Sequence, residues 1–177
     1  MARIYNLNPV TTITISAVGP PGRRVFYLQA SQGAKVVTLI IEKQHAVLLA
    51  ASLDDFLAEL NARFPRPSSP VVSLDANLRQ PADPAFRVAQ MALGYDESAD
   101  MVVLIAYQVV EEEGGDEGAD AARFWATREQ MQSLRDRALL EVEGGRPVCG
   151  LCSELIDAQG HLCVRRNGHG NHRKFGD

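Results

Sequence analysis

The chain has 177 residues, 46% hydrophobic and 23% charged, with a formal net charge of -4 and three cysteines, the composition of a globular protein of one domain, with or without a small appendage. No run approaches the 18 apolar residues of a membrane span, and the opening MARIYNLNPV has neither the apolar core nor the cleavage site of a secretory signal, so a cytoplasmic home is expected. Three cysteines cannot pair fully and all fall in the last 29 residues, which excludes a disulfide framework and points to a metal site or reactive thiols.

The charge is unevenly spread. From Arg146 onward there are five basic residues and three acidic ones, net +2, which leaves -6 for the rest. Much of that lies in Glu111 to Glu113, Asp116, Glu117 and Asp120, a Gly-containing stretch with little apolar surface, expected to be a solvated loop near 111–122.

Ile13, Ile15 and Ala17 alternate with Thr12, Thr14 and Ser16, the period of two that predicts a strand over 10–18. Gly19-Pro-Pro-Gly22 supplies a turn and Arg24 to Ala30 a return strand. After Ser31-Gln-Gly33, the β-branched run Val36 to Ile41 predicts a central strand and completes an antiparallel meander. The period then changes. Leu49, Leu53, Phe56, Leu57, Leu60 and Phe64 recur at three and four, one stripe of a helix that starts before Ser52 or restarts there, with Asp54 and Asp55 in its first turn. Pro65, Pro67 and Pro70 end it.

A weak strand is expected near Pro70 to Leu74. Next comes a hairpin of Phe86 to Leu93 and Met101 to Val110 about a turn at Gly94-Tyr-Asp-Glu97. Thr127-Arg-Glu-Gln130 is a capping box, after which Met131, Leu134, Ala138 and Val142 line one helical face. Gly144-Gly145 is expected to close that helix with residues that tolerate left-handed angles. The predicted fold is α+β: an antiparallel β meander and hairpin packed with two helices, followed by a small C-terminal zinc-binding hairpin. Residues 1–145 form the α+β domain and residues 146–177 the zinc-binding module.

Cys149-Gly-Leu-Cys152 is a natural half-site for zinc, because a C-x2-C turn aims two thiolates at one tetrahedral centre. His161 and Cys163 are two apart, so on a strand from Gly160 to Val164 both project from one face toward the first pair. The other arrangement keeps the three cysteines and takes His169 or His172 as the fourth ligand; spacing does not choose between them. Either fills four positions and leaves none for water or substrate, so the ion, Zn2+, would be structural. The plainer alternatives are buried free thiols or a thioredoxin-like pair.

Arg165, Arg166, Arg173 and Lys174, with Asn167, His169 and His172, form a basic tail that would neutralise only a few phosphates, with Phe175 alone available for stacking, so nucleic-acid binding is weakly supported. Glu42, Lys43 and His45, where a strand hands over to a helix, are the one cluster resembling an acid–base site. The Gly19 to Arg24 turn lacks the ending of a phosphate loop and is expected to carry exposed arginines.

Gly22-Arg-Arg-Val-Phe-Tyr-Leu-Gln-Ala30, Glu42-Lys43-Gln44, Phe86-Arg-Val88, Leu93-Gly-Tyr-Asp96, Gly145-Arg-Pro-Val-Cys-Gly-Leu-Cys152 and Gly160-His-Leu-Cys-Val-Arg165-Arg-Asn-Gly168 together resemble a mainly actinobacterial family catalogued as domain of unknown function 3090. The family's tail pattern is close to Gly-Arg-Pro-Pro-Cys-Pro-Leu-Cys-Gly followed by Gly-His-x-Cys-Pro-Arg and Asn-Gly. Carried over, the resemblance picks out Cys149, Cys152, His161 and Cys163 and so favours His161 over the later histidines. Gly150, Ser153 and Val164 depart from the pattern without removing a ligand. The resemblance implies a bacterial cytoplasmic protein, often encoded near phosphatase-like and lipid-kinase-like proteins, and implies no activity. The expected function is a non-enzymatic zinc-binding protein that binds a protein partner and no membrane. The alternatives are a hydrolase of phosphate esters or nucleotides using Glu42, Lys43 and His45, and a weak nucleic-acid binder.

Overall fold

The computed structural model describes residues 1–67, 77–80, 83–110, 118–144, 149–152, 156, 161–163 and 165. The expected strand near Pro70 to Leu74 lies outside them, as do residues 111–117 of the acidic stretch.

Strands β1 (Ile4–Leu7), β2 (Thr12–Val18), β3 (Val25–Gln32), β4 (Lys35–Ile41), β5 (Pro84–Asp96), β6 (Met101–Gln108) and β7 (Ala121–Ala126) form one sheet in the order β1-β7-β6-β5-β4-β3-β2, with helices α1 (Lys43–Arg63) and α2 (Arg128–Glu143). The α+β class and both helices agree with the sequence reading. The meander β2-β3-β4 is antiparallel, its turns opened by Gly19 (φ +119°), Gly22 (φ +83°) and Gly33 (φ +59°), angles that a side chain disfavours.

The sheet itself is mixed rather than antiparallel throughout. β4 pairs with β5 and β1 with β7 in parallel. A tight turn cannot join parallel strands, so β4 reaches β5 through α1 and a long crossover. Strand β7 was not expected. It begins where the acidic loop was placed, at Ala121, and its Ala122, Phe124 and Ala126 are fully buried. The hairpin β5-β6 is present, but Gly94, Tyr95 and Asp96 continue the strand opposite Val103, Val102 and Met101, and the turn falls at 97–100. Asp100 makes that turn with φ +51°.

One face of the meander is apolar across the ladder. Ile13 sits opposite Ala30, Ile15 opposite Leu28, and Leu28 opposite Leu39, all buried against the helices. The other face buries polar groups that pair with one another. Gln29 Nε2 donates to Thr38 Oγ1 (2.9 Å) and to the Arg79 carbonyl (3.1 Å), while the Arg79 amide donates to Gln29 Oε1 (2.8 Å). The crossover segment thus seals this face by satisfying a buried amide side chain on both its ends.

Helix α1 runs unbroken through Ser52, because Ala46, Leu49, Ala50, Leu53, Leu57 and Leu60 keep one buried stripe. Asp54 and Asp55 therefore lie mid-helix, not in a first turn, and Asp54 pairs with Arg135 of α2. In α2 the expected capping box forms: the Gln130 amide donates to Thr127 Oγ1 (3.1 Å) and the Thr127 amide to Gln130 Oε1 (2.9 Å). Gly144 caps the other end at φ -69°, a right-handed angle, with its amide 2.7 Å from the Leu140 carbonyl, and Gly145 lies outside the described residues. No helix among the described residues is long and apolar enough to cross a membrane.

Candidate metal centre

Cys149 and Cys152 occupy one short turn, and His161 and Cys163 a second short stretch. Their ligand atoms all lie within 4.8 Å of one another. The Cys149 and Cys163 sulfurs are 3.8 Å apart and Cys152 Sγ is 3.1 Å from His161 Nε2. None of the three cysteines is in a disulfide. Described residues of the 160–164 stretch have no strand assignment, so the facing of His161 and Cys163 does not rest on strand alternation.

The local backbone is arranged for anionic sulfur. Hydrogen bonds from the backbone at Leu151 and Cys152 lower the Cys149 thiol to about 6, against burial, which raises it. These amides belong to the C-x2-C turn, so the loop that sets the spacing also stabilises the thiolate. Arg165 Nη1 donates to the Leu151 carbonyl at 3.1 Å, tying the second stretch back to that turn. His161 Nδ1 is buried with no hydrogen-bond partner among the described residues. Its Nε2 is the ring nitrogen turned toward the sulfurs.

The donor set fits a soft tetrahedral ion. A metal with sulfur bonds of about 2.3 Å sets its thiolates about 3.8 Å apart on a tetrahedral edge, the separation of Cys149 and Cys163. Cys152 and His161 need to part by a few tenths of an ångström to span a similar edge. Cys149, Cys152, His161 and Cys163 could thus hold a metal ion. His169 and His172, the competing ligands, lie outside the described residues, as do Arg146, Arg166, Arg173 and Lys174 of the basic tail.

Glu42, Lys43 and His45 stand together at the start of α1. Glu42 caps α1 and pairs with Arg87, while His45 Nδ1 accepts a hydrogen bond from the Glu42 amide at 3.2 Å. Glu42 and Lys43 line a cavity of about 320 Å3 with Gly22, Arg24, Arg87 and Glu141, whereas His45 opens on a different one. The chemistry of this trio is that of a helix start. Arg24 is not an exposed turn residue either. Only 15% of its side chain is exposed, and it donates to Glu141 Oε2 (2.7 Å) and to the Ala17 carbonyl (3.1 Å), clamping the β2-β3 hairpin to the end of α2; Arg23 alone is exposed.

Sequence reasoning also missed Arg128, because a basic residue at the start of a helix reads as solvated. Its side chain is 7% exposed and bonds to Asn61 Oδ1 (2.9 Å), the Phe64 carbonyl (2.7 Å) and Asp100 Oδ1 (3.0 Å), joining both helices to the β5-β6 turn. Its contacts are internal and its role is positional.

No curated protein matches this sequence. The model of one family, described as "Protein of unknown function (DUF3090)", matches residues 5–163, a span that takes in the sheet but for Ile4, both helices and all four candidate ligands, and the chain belongs to that family.

Proposed function

We propose that Cys149, Cys152, His161 and Cys163 hold one structural zinc ion, and that the chain acts by binding a protein partner, with residues 146–177 as a small zinc-stabilised module. The observation that carries the metal reading is the meeting of four ligand atoms within 4.8 Å. Three thiolates and an imidazole are the donors of zinc rather than of magnesium or calcium, which take oxygen. Four protein ligands complete a tetrahedron and leave no position for water, so the ion's contribution is to fold the tail, not to activate a substrate. A reducing compartment keeps the thiols available as ligands.

Partner binding draws support from the surface beside the ligands. Leu151 and Leu162 stand next to Cys152, His161 and Cys163 and are 50% and 59% exposed. A short stretch that spends two leucines on solvent beside a metal-rigidified turn presents apolar anchors at low conformational cost. Metal analysis of the purified full chain tests the first half of the proposal, with about one zinc per chain expected. Leu151→Ser with Leu162→Ser tests the second: zinc content stays unchanged and capture of the partner is lost. Zinc-bound protein whose interactions survive both changes would refute the partner reading.

A further inference from the structure

Strand β5 outruns the strand beside it. β4 accompanies it through the pairs Thr38↔Pro84, Leu39↔Phe86 and Ile40↔Arg87, whereas β6 pairs with its other side through to Asp96. From Ala89 to Leu93 the edge turned away from β6 therefore has no strand beside it among the described residues. Helix α1 runs across the groove from this stretch of β5. It starts at Lys43, just past the end of β4, and brings Phe64 to 5.0 Å from the Tyr95 ring near the far end of β5. Between helix and strand edge lies a groove of about 470 Å3.

An unpaired edge is a row of backbone donors and acceptors ready for another strand. Here that row has an apolar wall. Leu48, Leu49 and Phe56 of α1 face Met91 and Leu93 of β5 across the groove, and Leu48 is 54% exposed. An open strand edge flanked by the apolar stripe of a helix is the arrangement by which peptides bind through strand addition: the main-chain ladder supplies affinity and the pocket reads alternate side chains. Five residues of strand cover about 17 Å, the reach of a short segment.

Charge narrows the occupant. Leu48, Ser52, Asp55 and Glu59 follow one another at helical spacing of four and three, and Arg63, four further on, pairs with Glu59 at 3.5 Å, so this stripe of α1 carries two acids and one base beyond its leucine. Asp55 and Glu59 are exposed, and Glu59 lines the groove itself. Two acids and one base leave the rim at -1; a second copy of this chain would bring that same sign to it, whereas a basic side chain is complementary to Asp55, whose charge Arg63 does not pair, and to the exposed Glu59. We propose that this groove binds an extended segment of a partner protein, which adds as a strand along Ala89 to Leu93, places an apolar side chain between Leu48, Phe56 and Met91, and sets a lysine or arginine against Asp55 and Glu59. None of the candidate metal ligands lines the groove, so this site stands or falls separately from the zinc proposal.

Selection of random heptapeptides displayed on phage, using the full chain, tests it. The expected winners alternate apolar residues and carry a lysine or arginine. The synthetic winner should bind in fluorescence anisotropy, and Leu48→Glu and Asp55→Lys should each weaken it at least about tenfold. The same peptide with alternate backbone nitrogens methylated should lose binding to the unaltered chain; this reads the ladder without depending on how any variant folds. The proposal is overturned if no sequence is enriched, if the winner binds Leu48→Glu or the methylated form binds the unaltered chain equally well, or if the groove proves to hold a second copy, seen as a dimer that Leu48→Glu dissolves.

Discussion

Replacing Arg128 by methionine removes a buried side chain that ties the end of α1 to the start of α2 and the β5-β6 turn, while keeping most of the aliphatic bulk. Two of its bonds, to Asn61 at 2.9 Å and to the Phe64 carbonyl at 2.7 Å, come from a guanidinium only 7% exposed. Hydrogen bonds from a charged donor contribute about 1.5–3 kcal/mol each, with the lower end taken for the bond to Asn61, which is exposed. The third, to Asp100, is discounted to below about 1 kcal/mol, because solvent screens that carboxylate, which is 38% exposed and keeps Arg66 at 2.9 Å. Against the total stands Arg128 Nε, buried without a partner among the described residues. The net loss expected for Arg128→Met is about 3 kcal/mol, a large part of the roughly 5–15 kcal/mol that holds a domain together. Equilibrium urea unfolding should show the midpoint falling by about 1–2 M at unchanged slope. Arg128→Lys keeps the charge but not the planar fork and should lose about half as much. A loss under about 1 kcal/mol for the methionine variant, or an equal loss from Arg66→Met, would refute the idea that this residue fastens the helix pair to the hairpin.

Thr127→Ala should cost about 1 kcal/mol in the same assay, the worth of an N-cap that accepts from the Gln130 amide; no loss would mean that the cap is redundant. Gly19→Ala should destabilise more than Gly22→Ala. Both have positive φ, but a Cβ at Gly19 meets the Arg23 carbonyl at 2.9 Å whereas nothing lies within 4 Å at Gly22. Equal effects would show that the close approach relaxes. Hydrogen bonding from Tyr95, together with Arg128 and Arg66, holds the Asp100 carboxyl below its ordinary range. A depressed folded-state value contributes stability above the unfolded value, about pH 4, that is lost as pH falls through the folded one. Asp100→Asn should therefore flatten the stability profile below about pH 4, and an unchanged acid limb would contradict this.

The parts of the fold that local pattern determines were readable in advance. β2 alternates in sequence, β4 is a β-branched run, turn residues bound both, and the Thr127 box is a two-bond device that needs no tertiary context. What stayed hidden depends on distant partners. β1 is four residues long and owes its existence to parallel pairing of Ile4 to Leu7 with Ala121 to Phe124. β7 buries alanines as much as large side chains, so its apolar signal is weak. Gly94 and Asp96 look like turn residues, yet their pairing with β6 carries the strand through them. The start of α1 was obscured because Glu42 with His45 is an uncommon cap pair, and the same pair imitated an acid–base site. The cysteine cluster was readable for another reason: few residue types bind a soft metal, and three thiols with a histidine in so short a span restrict the geometry before any fold is known.

Native mass spectrometry of the purified chain, read beside elemental analysis, bears most directly on the metal centre. The account predicts one zinc ion per chain, lost from Cys149→Ser and from His161→Ala but retained by His169→Ala and His172→Ala. Metal-free protein with three freely titratable thiols, or zinc that survives His161→Ala and departs with a later histidine, would contradict it.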